Sequence, residues 1–313
     1  MKFTIGIPAY KAAYLKECID SILSQSCQDF ELIIVNDASP ENIKGVVCNY
    51  QGIKYYENDV NFGAVNVVDN WNMCLSYAKG EYFILMGDDD KLDENYLEEF
   101  NSLIKKHPDC GVYHCRTIIM NEVGEFVTVT EPRPEFESVY DSVFQRMQEN
   151  RLFFISDYVF HTATLRKNGG FYKLPLAWAS DDISSFIAAE QNGIAHINKP
   201  LFMYRRNPQT ISTTGNTFLK MDAILGEESW LRNFVTKIPK NDIDKILREN
   251  IDKTITKFIQ KKKIRTIYAE SGSNIVSSFY KWLRVRKKYN LSIDELLYAS
   301  MMKLKERRKK VYG

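Results

Sequence analysis

The chain has 313 residues, 44% of them hydrophobic and 26% charged, with a formal net charge of +2. These values exclude a disordered chain, a collagen-like repeat and a disulfide-stapled miniprotein, and the length suits one large domain or one domain with an appendage. The near-neutral total conceals an asymmetry: residues 1–250 hold 25 Lys+Arg against 35 Asp+Glu, about −10, and residues 251–313 hold 17 against 5, about +12.

From the N-terminus, Phe3 to Ile7 is a strand-like run ended by Pro8. Residues 12–24 carry Leu15, Ile19, Ile22 and Leu23 at the spacing of one helix face. Phe30 to Val35 reads as a strand buried on both faces, and it runs into a polar turn, Asn36-Asp37-Ala38-Ser39-Pro40. Ser39 is placed to cap a helix that has Pro40 at its first position. Ile53 to Tyr56 predicts a third strand, and residues 64–78 a helix closed by Gly80. Tyr82 to Met86 predicts a fourth strand, cut off by Gly87-Asp88-Asp89-Asp90, with a helix beyond. This alternation predicts an α/β domain with a mostly parallel sheet, whose ligands sit at the carboxyl ends of the strands. Both polar turns lie at such ends.

After residue 110 the pattern loosens. Val112 to Met120 and Phe126 to Thr130 read as strands, residues 131–137 as a loop, 140–149 as a helix, and 152–165 as extended. Asp182 to Gln191 reads as a helix ended by Gly193. From about 217 onward the segments are helix-compatible. The six cysteines form no C-x-x-C pair and no zinc-like cluster with histidine, which predicts small buried thiols in a reducing compartment. The N-terminus has no long apolar region of a signal peptide, and no apolar run approaches the length that spans a bilayer. The expectation is a cytoplasmic protein.

Three adjacent carboxylates directly after a buried strand repel one another and call for a compensating cation. Hard oxygen ligands suit Mg²⁺ or Mn²⁺. A solvated acidic turn that caps the next helix accounts for the same residues.

Four stretches, in order and spacing, together resemble the family 2 glycosyltransferases, nucleotide-sugar-dependent enzymes of the GT-A fold. They are Ile5-Gly6-Ile7-Pro8-Ala9-Tyr10 with the helix after it, Phe30 through Ser39, Asn61-Phe62-Gly63 through the acidic turn, and Asn168-Gly169-Gly170-Phe171 followed by Ser180-Asp181-Asp182. The resemblance covers residues 1–212. It implies a GT-A type Rossmann-like domain over 1–215, with a nucleotide-sugar half to about 110 and an acceptor half from 111, then a helical, basic region over 216–313. It also implies roles. Asp37 accepts a hydrogen bond from the nucleotide base, with Pro8 and Tyr10 lining the pocket. Asp88 lies near the ribose and metal, and Asp89 with Asp90 binds the metal that bridges the diphosphate. Asp182 is the general base, and Asp181 stands where the family often has Glu. Arg205 or Arg206, in a Tyr-Arg-x-His-like stretch, grips phosphate oxygens. The chain departs from the pattern at Gly87 and Asn36, where acids are usual, and at Asn207, where His is frequent.

Of the four histidines, all read as structural or surface residues, with His161 the one candidate for the acceptor side. Trp178, just before the acid pair, either stacks on a sugar ring or packs in the core. The basic runs 261–263, 284–288 and 307–310 interleave with Phe279, Trp282 and Leu283. Such a pattern fits a peripheral contact with the anionic inner face of a membrane or a solvated appendage, and no motif for nucleic acid accompanies it. A homodimer through this region is a further expectation.

The combined expectation is an inverting, metal-dependent transferase that moves a sugar from a nucleoside diphosphate donor, UDP-sugar by resemblance, to a hydroxyl of a saccharide or lipid-linked saccharide. The competing reading is a non-catalytic nucleotide-sugar-binding or scaffold protein of the same fold. Loss of the acids would mark it, and all of them are present. No G-x-G-x-x-G follows the first strand and no P-loop occurs.

Overall fold

The computed structural model describes residues 1–207, 216–271 and 274–312. The first part of the chain gives β1 (Phe3–Ala9), α1 (Leu15–Leu23), β2 (Phe30–Asn36), α2 (Ile43–Val47), β3 (Lys54–Glu57), α3 (Val67–Tyr77) and β4 (Tyr82–Leu85). Next come β5 (Lys91–Leu92), α4 (Tyr96–Lys106), β6 (Val112–Met120), β7 (Phe126–Val129), β8 (Phe136–Glu137), α5 (Val139–Met147), β9 (Tyr158–His161), α6 (Thr162–Lys167), α7 (Ser180–Ala189) and β10 (Ile194–Arg205). Four helices follow: α8 (Thr217–Phe234), α9 (Asp242–Glu270), α10 (Ile275–Val285) and α11 (Ile293–Tyr312).

All strands join one sheet in the order β3-β2-β1-β4-β9-β6-β10-β5, with β7 added to β6 and β8 to β10. The long ladders β3–β2–β1–β4 and β6–β10 are parallel. The short strand β9 is antiparallel to both β4 and β6, so β4 and β6 run the same way. The carboxyl ends of β1, β2, β4, β6 and β10 therefore share one edge.

Period-two alternation divides the core. Leu32, Ile34 and Ile84 point to one face and pack with Leu15, Ile19, Leu97 and Phe100 of α1 and α4. Ile33, Val35, Phe83 and Leu85 point to the other and pack with Val68, Cys74 and Leu75 of α3. That second cluster continues without a break into Met221, Ile224, Ile255 and Trp282 of the C-terminal helices. Each fully buried side chain of this kind stabilises the fold by roughly 1.5–3 kcal/mol.

Several local expectations change. The helix after β2 starts at Ile43, not Pro40, and Asn42 caps it by accepting from Gly45 N–H at 2.9 Å. Ser39 instead donates its hydroxyl to the carbonyl of Tyr10. The predicted loop 131–137 ends in β8, which pairs with β10. The extended stretch 152–165 breaks into a 3₁₀ turn at Ile155–Asp157, then β9, then α6. His161 caps α6, its Nδ1 accepting from Thr164 N–H, which fixes this imidazole locally. His114 and His196 are buried with their Nδ1 atoms 3.1 Å apart, and burial pushes both pKa values down. The cysteines are free thiols, with Cys18, Cys74, Cys110 and Cys115 buried. Among the described residues no helix is long and apolar enough to cross a membrane.

The basic run 261–263 is not a solvated cluster. Lys261 and Arg265 pair with Glu149 of α5, Lys262 with Glu227 of α8, and Lys263 with Glu228. These cations hold α9 against its neighbours. Residues 208–212 of the predicted phosphate loop lie outside the described residues.

Gly80 does not close α3, which is capped at Ala78. It is needed for close approach: a Cβ there would lie 2.5 Å from the carbonyl carbon of Phe3 and 2.6 Å from Thr4 N. Both neighbours are backbone atoms of a central strand. Gly80→Ala is expected to destabilise the chain by about 1–3 kcal/mol in a denaturant titration.

Candidate active site

Four polar turns meet at the shared strand edge. The turn after β4 places Asp88, Asp89 and Asp90 in a row, and each carboxylate has a different surrounding. Asp88 accepts from the backbone N–H groups of Tyr10 and Lys11, both at 2.7 Å, just past β1. Asp90 is buried and turned inward, accepting from the N–H of Arg205 at 2.8 Å at the end of β10. The side chain of Asp89 is half-buried between them. Burial pushes all three pKa values up, Asp88 to about 6, and mutual repulsion adds to it for Asp88 and Asp90. Gly87 leaves no room for an acid at its position, since even a Cβ would approach Asp90 Oδ2 to 2.6 Å.

Among the described residues no three His, Cys, Asp or Glu side chains converge so as to hold a metal ion by themselves. The donor set still fits a hard divalent cation that takes one or two carboxylates and draws its other oxygens from a bound diphosphate. With Asp88 committed to two amides and Asp90 to a third, Asp89 is the carboxylate best disposed for such a cation.

Asp37, after β2, is also buried. Its Oδ1 accepts from Asn58 Nδ2 and from Phe62 N–H, both at 3.0 Å, and its carbonyl accepts from Asn61. It therefore shapes the 58–62 loop. Tyr10 is exposed next to it, and Pro8 is half-buried, one residue before the end of β1.

Arg205 and Arg206 separate. The Arg205 guanidinium is 1% exposed and donates to Asp89 O, Glu122 O and Glu17 Oε2 at 2.8–2.9 Å, lying 4.2 Å from the Tyr14 ring centre. It is built into the wall of the acidic turn, so the expected phosphate grip does not fit it. Arg206 is exposed.

The second acidic pair opens α7. Asp182 is 2% exposed; its Oδ2 accepts from Arg146 Nε at 2.8 Å, and its Oδ1 is buried with no hydrogen-bond partner. Asp181 is partly open, and its Oδ1 accepts from the N–H of Asp182 at 2.9 Å. Burial, then the adjacent Asp182 charge, pushes Asp181 up to about 7. Gly87 N–H donates to Ser156 Oγ at 3.2 Å, which ties the acidic turn to the segment before β9.

The sequence did not single out Arg146, Tyr14, Glu17 or Ser156. Arg146 sits in the last turn of α5, where a cation needs no explanation beyond the helix dipole. Nothing local tied it to an acid 36 positions away.

Residues 4–170 match the family model described as glycosyl transferase family 2. The chain belongs to that family. GlyG of Streptococcus pneumoniae is 33% identical over 101 residues, 30% of this chain and 32% of that protein. The teichoic acid poly(glycerol phosphate) polymerase of Staphylococcus epidermidis is 34% identical over 112 residues, 32% of this chain and 15% of its own length. The chain thus spans about a third or less of these relatives. TarS residues 1–349 of S. aureus, crystallised with UDP-GlcNAc, superimposes with a TM-score of 0.65 at 17% identity, covering 99% of this chain and 92% of that one. That likeness shows the GT-A fold and covers nearly the whole chain, the C-terminal helices included.

Removing Arg146 strands a buried carboxylate. Arg146→Ala is expected to cost about 3 kcal/mol of unfolding free energy, and Asp182→Asn in the same chain to restore a large part of it. Urea titrations of the two single variants and the double variant check this, and additive losses would contradict the pairing.

Proposed function

We propose that the chain is an inverting glycosyltransferase that moves a sugar from a nucleoside diphosphate, with UDP-sugar the first donor to test, onto a hydroxyl of a cell-surface saccharide or polyol chain. The observation that carries the reading is the placement of two separate carboxylate groups at one strand edge, one tied to backbone amides and one ending in an unpartnered oxygen. Membership of glycosyl transferase family 2 supports the transferase class. The names of the S. epidermidis polymerase and of the UDP-GlcNAc complex of TarS support the acceptor and donor classes.

In this reading the donor lies over the ends of β1, β2 and β4. Asp37 and the loop it holds receive the base, with Pro8 and Tyr10 alongside. Asp88 fixes the Tyr10–Lys11 backbone under the ribose and diphosphate. Asp89 holds Mg²⁺ or Mn²⁺, with Asp90 behind it as a buried neighbour. When bound, the cation stabilises the negative charge that develops on the leaving diphosphate. Arg206 is the available guanidinium for phosphate oxygens.

Asp182 receives the proton. Its Oδ1 has free lone pairs but is buried, so in this reading the side chains over it give way as the acceptor binds, and a hydroxyl that then donates there gains nucleophilicity as it attacks the anomeric carbon. Arg146 orients the carboxylate through its other oxygen. Asp181 sits beside it and shares the negative charge. One base and no carboxylate nucleophile correspond to direct displacement with inversion.

Calorimetric titration of UDP is expected to show binding that strengthens with Mn²⁺ in the wild type. The Mn²⁺ dependence should disappear in Asp89→Ala, while a wild type that binds no UDP with Mn²⁺ would remove the donor assignment. Asp182→Asn should lower kcat by about 10²-fold or more with little change in UDP affinity.

The acid pair also sets a pH dependence. Asp181 gains its charge beside the proposed base only as pH rises through about 7, so kcat/KM is expected to change there in the wild type and not in Asp181→Asn. Stability depends on the same group. The folded chain holds the Asp181 proton more tightly than the unfolded chain, whose value is near 3.8, so this group lowers stability as pH rises from about 4 to about 7. Thermal melts of wild type and Asp181→Asn over that range should converge at low pH, with the variant gaining at high pH.

A further inference from the structure

The last helix, α11, has two apolar faces. The inner face belongs to the core, where Leu296 and Ala299 are buried in the cluster shared with the sheet. On the same side Tyr268 of α9 donates its hydroxyl to Glu306 at 2.9 Å. The outer face carries Ile293, Leu297, Met301 and Leu304, each 46–51% exposed. Their spacing, i, i+4, i+8 and i+11, keeps them on one side of the helix over about 17 Å. Tyr298 and Lys305, both exposed, border this stripe. Apolar side chains exposed singly are ordinary, but four in helical register on the solvent side make a surface.

The neighbouring helix α10 packs on α11 and repeats the pattern. Val276 and Tyr280 are 65% and 59% exposed, and Arg284 and Lys287, also exposed, continue their face at i+8 and i+11.

Charge decides what such a surface accepts. Residues 275–313 hold 11 Lys+Arg against 3 Asp+Glu. The first basic run, 261–263, is taken up by ion pairs inside the fold. The later cations are not all used in this way. Lys281, Lys288 and Lys303 pair with Glu270, Asp222 and Glu306. Arg284, Arg286, Lys287 and Lys305 form no ion pair among the described residues. The acids do not balance them. Glu295 is buried and accepts from Ser292 N–H at 2.6 Å, and Glu306 is held by Tyr268 and Lys303, which leaves Asp294 as the exposed one. In sequence the helix runs on into Arg307-Arg308-Lys309-Lys310.

We infer that the solvent face of the α10–α11 pair is a docking surface for an anionic lipid bilayer. Ile293, Leu297, Met301 and Leu304 enter the boundary between headgroups and acyl chains, and Arg284, Lys287 and Lys305 meet lipid phosphates. An apolar stripe bordered by unpaired cations matches the two layers of such a surface. Other occupants use only half of it. A second copy of the chain would cover the stripe but bring the same unpaired cations against these. A nucleic acid would neutralise the cations and leave the stripe in water. The inference concerns where the chain binds and does not depend on the transferase reading.

The test is co-sedimentation of the full chain with vesicles of phosphatidylcholine alone and of phosphatidylcholine with about 30% phosphatidylglycerol, a content at which each basic residue near the surface strengthens binding roughly fivefold. Partitioning onto the anionic vesicles is expected to be at least tenfold stronger than onto the neutral ones. It should fall at least tenfold between 50 and 300 mM salt, because surface charge is then screened within about 10 Å or less. The variants Leu297→Gln/Met301→Gln/Leu304→Gln and Arg284→Gln/Lys287→Gln/Lys305→Gln should each lower it at least tenfold, with thermal melts that match the wild type.

Equal partitioning onto both vesicles overturns the inference. So does an apolar variant that binds as the wild type does, since the cations then act without the stripe. Sedimentation velocity without lipid is expected to show a monomer. A dimer that the apolar variant dissociates would assign the stripe to a second copy and overturn the bilayer. The lipid and salt series on the wild type need no substitution, and the single variant Leu304→Gln, at a half-exposed side chain, covers the case in which a triple variant fails to fold.

Discussion

The constraint on which the site depends is the repulsion among carboxylates gathered at one edge of the sheet. Asp88, Asp89 and Asp90 follow directly on a buried strand, and desolvation raises the pKa of each. The chain offsets this mainly with backbone dipoles. Asp88 draws two N–H groups from the end of β1 and Asp90 draws one from the end of β10. Hydrogen bonds from amides to a charged group contribute about 1.5–3 kcal/mol each. The same bonds tie three strand ends together, so the geometry of the acidic turn and the closure of the sheet edge are one structural event.

This arrangement also explains the fate of Arg205. A cation near three carboxylates looks like a phosphate ligand in sequence. In the fold its guanidinium bonds two backbone carbonyls and Glu17 and lies against Tyr14, with almost no solvent access. A planar donor fork is well suited to bracing several acceptors at once. Its charge tempers that of Asp89 and Asp90 from the wall, and the open face of the turn is left to other cations.

The first hundred residues were legible because their signals are local. Buried strands of the Phe30–Val35 kind, helix-spaced apolar residues in α1 and α3, and polar turns at strand ends are all written within about ten residues of each other. The acid pair was legible only through resemblance, and the pattern did not show which neighbours define it. Arg146 and Asp182 lie 36 positions apart, and their contact depends on how α5 packs against α7. The stretch 152–165 was misjudged for a related reason. It is apolar enough to read as one strand, yet the β4–β9 pairing ends at His161, whose side chain turns to cap α6. The partners of the first basic run could not be read, because charge in sequence carries no partner. Glu149, Glu227 and Glu228 supply the partners for 261–265 from α5 and α8.

That last point changes what the C-terminal helices are for. A region that merely carried positive charge would leave its lysines in water, where exposed pairs are worth about 0–1 kcal/mol and fix little. Here the helices continue the same hydrophobic cluster as the sheet through Met221, Ile255 and Trp282. Lys261 and Arg265 tie α9 to Glu149 of α5, while Lys262 and its partner Glu227 are largely buried between α9 and α8. Pairing of that kind holds α9 in place against its neighbours.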